Sequence, residues 1–116
     1  MSTMKIVKRQ IGDVTVLDVH GALRFGESDN MLRDAVSQLL DSGKRKVLVN
    51  LADVPHMDSA GLGEVVRCYA TVGRTGGAMK LVNLTARIRD LLTITKLLTV
   101  FETYDSEDLA IRSFQS

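Results

Sequence analysis

The residues whose types and spacing could do chemistry gather in one stretch, "HMDSAGLGEVV" at 56–66, where Ser59 precedes an apolar helical stripe. A serine so placed can attack a substrate, cap a helix, or carry a group that another protein adds. The serine-hydrolase elbow needs a glycine two residues before the nucleophile and a histidine later in the chain. Position 57 is Met57 and no histidine follows Ser59, so serine hydrolysis is rejected. The two histidines, His20 and His56, lack an HExxH or paired-cysteine context and read as loop or strand-end residues. The single cysteine, Cys68, falls mid-helix without the helix N-terminus or cationic setting of a reactive thiol, and reads as packed. "GRTGG" at 73–77 closes a helix, whereas a phosphate loop opens one, and "DSAGLG" lacks the lysine and loop length of that motif. No set of acid, base, metal and nucleophile assembles. The chain is expected to be no enzyme and to need no cofactor or metal.

These residues must be positioned by one small fold. At 116 residues the chain suits a single domain spanning 1–116. Fifteen basic against fourteen acidic residues leave a net charge of +1, which gives no electrostatic case for nucleic acid or an anionic membrane. "MSTMKIVKRQ" lacks the apolar run of a secretory signal, and no segment is apolar enough to span a bilayer. With one cysteine and no internal disulfide possible, a reducing cytoplasm is the expected location.

The hydrophobic pattern alternates between strand and helix. Residues 4–9 and 13–19 read as strands joined by a turn at Gly12 and Asp13. From Ser28 the period becomes helical, with Met31, Leu32, Ala35, Val36, Leu39 and Leu40 on one stripe. Ser28 or Asp29 can cap that helix and Gly43 can stop it. "KVLVNLADV" at 46–54 reads as a central strand buried on both faces. A helix from about Ser59 to Val72 follows, with Leu62, Val65, Val66 and Tyr69 inward. "AMKLVNL" is a strand, "TARIRDLLTIT" a helix with Ile88, Leu91 and Leu92 inward, and "VFETY" a strand. The last helix, "DSEDLAIRSF", has Asp105 or Ser106 as its cap. The order β-β-α-β-α-β-α-β-α argues for an α/β domain whose sheet is parallel except for an antiparallel edge strand.

Ser59 itself keeps two readings. As a helix N-cap it satisfies backbone N–H groups, worth about 1 kcal/mol. The same placement exposes its hydroxyl at the C-terminal edge of a parallel sheet, where α/β domains place functional groups. Phosphate there would meet a helix dipole that favours it, and its charge beside Asp58 would repel a docked partner. Physics permits this role without selecting it.

The stretch "VNLADVPHMDSAGLGEVVRCY" closely resembles the signature of the STAS domain of bacterial anti-sigma factor antagonists. There an apolar strand leads through a short loop into Asp-Ser-x-Gly-Leu/Ile-Gly at a helix start. The element order and "MKLVNLTARIRDLLTITKLLTVFETYDSEDLAI" fit the same family, so the resemblance covers essentially the whole chain. It implies a single-domain STAS fold with a mixed, mostly parallel sheet, one antiparallel edge hairpin and about four helices. It further implies binding to an anti-sigma factor that is a GHKL-type serine kinase. That binding frees a sigma factor; the kinase then phosphorylates the motif serine, and a PP2C-type phosphatase resets the switch. By motif position Ser59 is the phospho-acceptor, and Asp58, Ala60, Gly61, Leu62 and Gly63 shape the partner surface. One residue departs from the pattern. "HGALRFGESD" carries Arg24 where an acidic residue is usual, and a guanidinium there is expected to pair with phosphate on Ser59. The alternative reading is a small-ligand sensor or accessory subunit of a transport or signalling complex, with Ser59 unmodified.

Overall fold

The computed structural model describes residues 4–24 and 30–115. Strand β1 (Lys5–Ile11) turns through Gly12, at φ +61°, into β2 (Val14–His20). Helix α1 (Met31–Asp41), strand β3 (Lys46–Asp53), helix α2 (Ser59–Arg74) and strand β4 (Ala78–Val82) follow. Helix α3 (Ala86–Ile94), the short strand β5 (Thr103–Tyr104) and helix α4 (Glu107–Ser113) complete the chain. The sheet order is β1-β2-β3-β4-β5, with β1 antiparallel to β2 at the edge and every other pairing parallel. This is the α/β architecture read from the alternation of hydrophobic periods.

The period of two divides the strand residues between two layers. Val47, Val49 and Leu51 of β3 point to the same core as Leu17 and Val19 of β2 and Leu81 of β4. Leu32, Val36 and Leu39 of α1, Leu62, Val65 and Val72 of α2, and Ile88 and Leu92 of α3 close over that face. Leu48, Val14, Val16 and Val82 point the other way, onto Ala110 of α4 and Phe114 at its C-cap. Three helices thus cover one face and one helix the other, which is why β3 is apolar at almost every position.

Four local expectations change. Ser28 and Asp29, the expected caps of α1, lie outside the described residues, and the helix starts at Met31 after Asn30, whose φ is +71° and whose side chain makes no cap bond. The buried face of α2 runs through Leu62, Val65, Cys68 and Val72 rather than through Val66, which is 37% exposed. The Cys68 thiol serves there as a small hydrophobe, a role that a count of aliphatic and aromatic residues passes over. Leu91 on α3 is only partly buried, beside the fully buried Ile88 and Leu92. The last strand shrinks to two residues because the chain before it stays in turns: Leu97 and Leu98 donate to Leu92, and Val100 donates to Leu97. Those N–H groups close the end of α3 and are not available to a ladder.

A polar seam crosses the α4 face. Arg9 donates to both carboxylate oxygens of Asp18 at 2.5 and 2.8 Å and to Glu107 in the first turn of α4. Asn50 donates to Asp18 at 2.8 Å and Asn83 donates to Asn50 at 3.2 Å. The Arg9 guanidinium holds the Asp18 carboxyl below the usual carboxylate range despite the opposing cost of its burial. The seam ties the edge hairpin to β3, to the end of β4 and to the last helix.

The candidate switch site at the start of α2

The site is assembled by two chain segments leaving the sheet side by side. After β2 and β3 end, their parallel pairing continues as a looser ladder: Gly21 N–H donates to Asp53, Leu23 N–H to His56, and Asp58 N–H to Leu23. Leu23 and Met57 form a parallel bridge, and both side chains are buried. Pro55 ends the regular strand, and the chain reaches Asp58 in extended conformation, with φ −98° and ψ −175°.

Asp58 is the cap. Its Oδ1 accepts from the Gly61 N–H at 2.9 Å, so the carboxylate satisfies an orphan donor and complements the positive end of the helix. This corrects the reading of Ser59 as N-cap. Ser59 is instead the first helical residue, is exposed, and its hydroxyl plays no part in holding the helix start. The spacing of Asp58 to Gly61 is that of a cap to the third helical residue, a signal present in the sequence that reading the serine first concealed.

Gly61 is required by contact. A Cβ built there would lie 2.1 Å from the carbonyl oxygen of Leu23 and 2.7 Å from its carbon, closer than any real side chain sits. Gly63 is different, since its Cβ would meet only the Arg67 guanidinium, at 3.7 Å. Leu62 is buried beneath the helix start, while Ala60 and Gly63 are partly exposed on its outer side. Arg24 follows Leu23 directly and is exposed, so the ladder brings it to the same edge as Asp58 and Ser59. All seven site residues read from the sequence, Arg24 and 58–63, therefore converge on one end of the sheet.

Further charges lie near this edge that motif reading missed. Glu64 is only 7% exposed, pairs with Arg67 at 3.1 Å and with Arg33 of α1 at 3.6 Å, and keeps an Oε2 with no hydrogen-bond partner among the described residues. His56 and Arg87 face each other at 3.4 Å, and His20 pairs with Asp53 at 2.7 Å outside the helix start. Among the described residues no group of three or more His, Cys, Asp or Glu side chains could hold a metal ion. Burial, with Glu64 nearby, pushes the Cys68 thiol up to about 12. No described helix is long and apolar enough to cross a membrane.

Residues 5–110 match the STAS domain family. The chain belongs to that family. A STAS-family relative, the anti-sigma-B factor antagonist of Bacillus subtilis, is 33% identical over 101 residues, covering 83% of this chain and 85% of its own. Among solved structures, an anti-sigma factor antagonist from Mycobacterium paratuberculosis superposes with a TM-score of 0.87 at 18% identity, over 99% of this chain and 97% of that one. The phosphorylated form of the Bacillus cell fate determinant SpoIIAA gives a TM-score of 0.73 at 19% identity, over 94% of this chain and 98% of that one. These structures share the α/β fold described above.

Proposed function

We propose that this STAS domain is an anti-sigma factor antagonist whose binding is switched by phosphorylation of Ser59. One observation carries the proposal: the motif serine is exposed at the first position of α2 while a different residue, Asp58, holds the cap. A hydroxyl without structural duty can gain a phosphate without cost to the helix. The helix dipole tolerates the new charge, and about −1.5 to −2 units of it beside Asp58 oppose a partner docked on this edge. The names of the relatives support the reading, as does the phosphorylated state of SpoIIAA.

In this reading the partner is an anti-sigma factor of the GHKL serine-kinase type, which transfers phosphate from ATP to Ser59 and then lets go. A PP2C-type phosphatase restores the unmodified form. Asp58, Ser59, Ala60, Gly63 and Arg24 meet the partner directly, and Gly61 and Leu62 fix their placement from below. The domain acts in the cytoplasm as a binding module and performs no catalysis of its own.

The test is incubation of the full chain with candidate GHKL kinases and ATP, followed by mass mapping. Phosphate on Ser59 is the expected result. Phosphate on Thr71 or Ser28 with Ser59 unmodified would overturn the assignment.

A further inference from the structure

Ser59, Gly63 and Arg67 stand at i, i+4 and i+8 on α2 and so share one face of the helix. Helical side chains lean toward the helix N-terminus, which aims Arg67 back along that face toward Ser59. The structure shows the lean directly: Arg67 Nη2 lies 3.7 Å from where a Gly63 Cβ would be. With no side chain at 63 to stop it, the guanidinium rests about one turn, or about 6 Å of rise, from the start of the helix.

The present partner of Arg67 is held by a second cation as well. Glu64 receives Arg67 at 3.1 Å and Arg33 at 3.6 Å, so two guanidinium groups share one buried carboxylate. Arg33 also donates to Asn30, whereas Arg67 has Glu64 as its one hydrogen-bonded side-chain partner among the described residues; their side chains are 49% and 60% exposed. Of the two cations Arg67 is the one able to swing, and Glu64 retains Arg33 when it does.

We propose that Arg67 is the residue that reads phosphate on Ser59, leaving Glu64 to Arg33 and donating its planar fork to the phosphoryl oxygens. This rests on Ser59 being the phospho-acceptor and adds the means by which the domain registers the modification. No bond other than hydrogen bonds changes. The guanidinium offers phosphate the same planar fork that it offers Glu64, against a charge of about −1.5 to −2 rather than −1. The other charges on the segments at this edge are Asp58, which opposes the phosphate, and Arg24 and His56, the last facing Arg87 at 3.4 Å. Gly63 acquires a second purpose: it keeps the path between Arg67 and Ser59 open.

The test installs phosphoserine at position 59 by codon reassignment in the full chain and follows its titration by phosphorus NMR. Pairing favours the dianion, so the apparent second pKa in the otherwise wild-type protein lies below that in Arg67→Gln. A difference of about half a unit is expected for an exposed pair. Arg67→Lys, which keeps the charge without the fork, titrates between them. Arg33→Gln takes away the cation left to hold Glu64, keeps Arg67 on that carboxylate, and moves the titration toward that of Arg67→Gln. Superimposable curves for wild type and Arg67→Gln would overturn the proposal. Because the phosphoserine is incorporated during translation, a kinase that ignores Ser59 defeats the phospho-acceptor reading and leaves this result intact. Coincident titrations of wild type and Arg67→Gln defeat the role of Arg67 and leave the kinase result intact.

Discussion

The α carbon of Gly61 faces the backbone carbonyl of Leu23 so closely that a methyl group would sit 2.1 Å from the oxygen. The first turn of α2 therefore lies directly on the segment leaving β2, and the two carry Ser59 and Arg24 to one edge. Gly61→Ala forces backbone apart and is expected to destabilise the fold by about 2 kcal/mol or more. Gly63→Ala meets only a flexible guanidinium and removes a helical glycine, so it should be neutral or stabilising by up to about 1 kcal/mol. Urea unfolding of the two variants checks the contrast; equal effects would contradict the packing described.

The cap assignment separates two adjacent residues. Asp58→Ala should cost about 1 kcal/mol, and Asp58→Asn much less because asparagine caps nearly as well. Ser59→Ala should leave the denaturation midpoint unchanged. A loss of about 1 kcal/mol from Ser59→Ala would return the cap to the serine and remove the reason it is available for modification.

Much of this arrangement is legible in the residues themselves. The switch from period two to period three-to-four marks the elements, and the doubly apolar "KVLVNLADV" marks β3 as central. The DSAGLG stretch locates the site. What the pattern misses has physical causes. Serine and aspartate are equally good caps, and only the backbone shows that Asp58 is the extended residue. The inward face of α2 was displaced because Cys68 behaves as a hydrophobe and because Glu64, buried at 7% exposure, is held there by arginines one turn along and on another helix. The pair with Arg33, distant in sequence, has no periodic signature. The brevity of β5 depends on turn hydrogen bonds after α3, which also leave no mark in hydropathy.

Acid sensitivity should trace in part to Asp18. Its folded pKa lies below the unfolded value of about 3.9, so its contribution is complete above that value and is lost as the pH falls through the folded pKa. In that window the unfolded chain binds more protons, and stability falls with falling pH. Asp18→Asn should lower stability at neutral pH by about 1.5 kcal/mol, since it removes a carboxylate held by Arg9 and Asn50. It should also flatten the pH dependence below about pH 4. An unchanged acid limb would show that other carboxylates carry it.

The Cys68 thiol, 2% exposed and pushed up to about 12, should resist alkylation in the native state. At pH 8 its modification should be slow and should accelerate with urea in step with unfolding. Labelling at the rate of a free cysteine would contradict its placement in the core.

The central claim is that the hydroxyl of Ser59 switches partner binding while the fold stays as it is. The most direct measurement is the affinity of the cognate anti-sigma factor for the unmodified chain and for the chain carrying phosphoserine at 59, with thermal unfolding of both. The account predicts a loss of roughly tenfold or more in affinity, about 1.4 kcal/mol, with the melting temperature of the domain unchanged. Equal affinity of the two forms would contradict it.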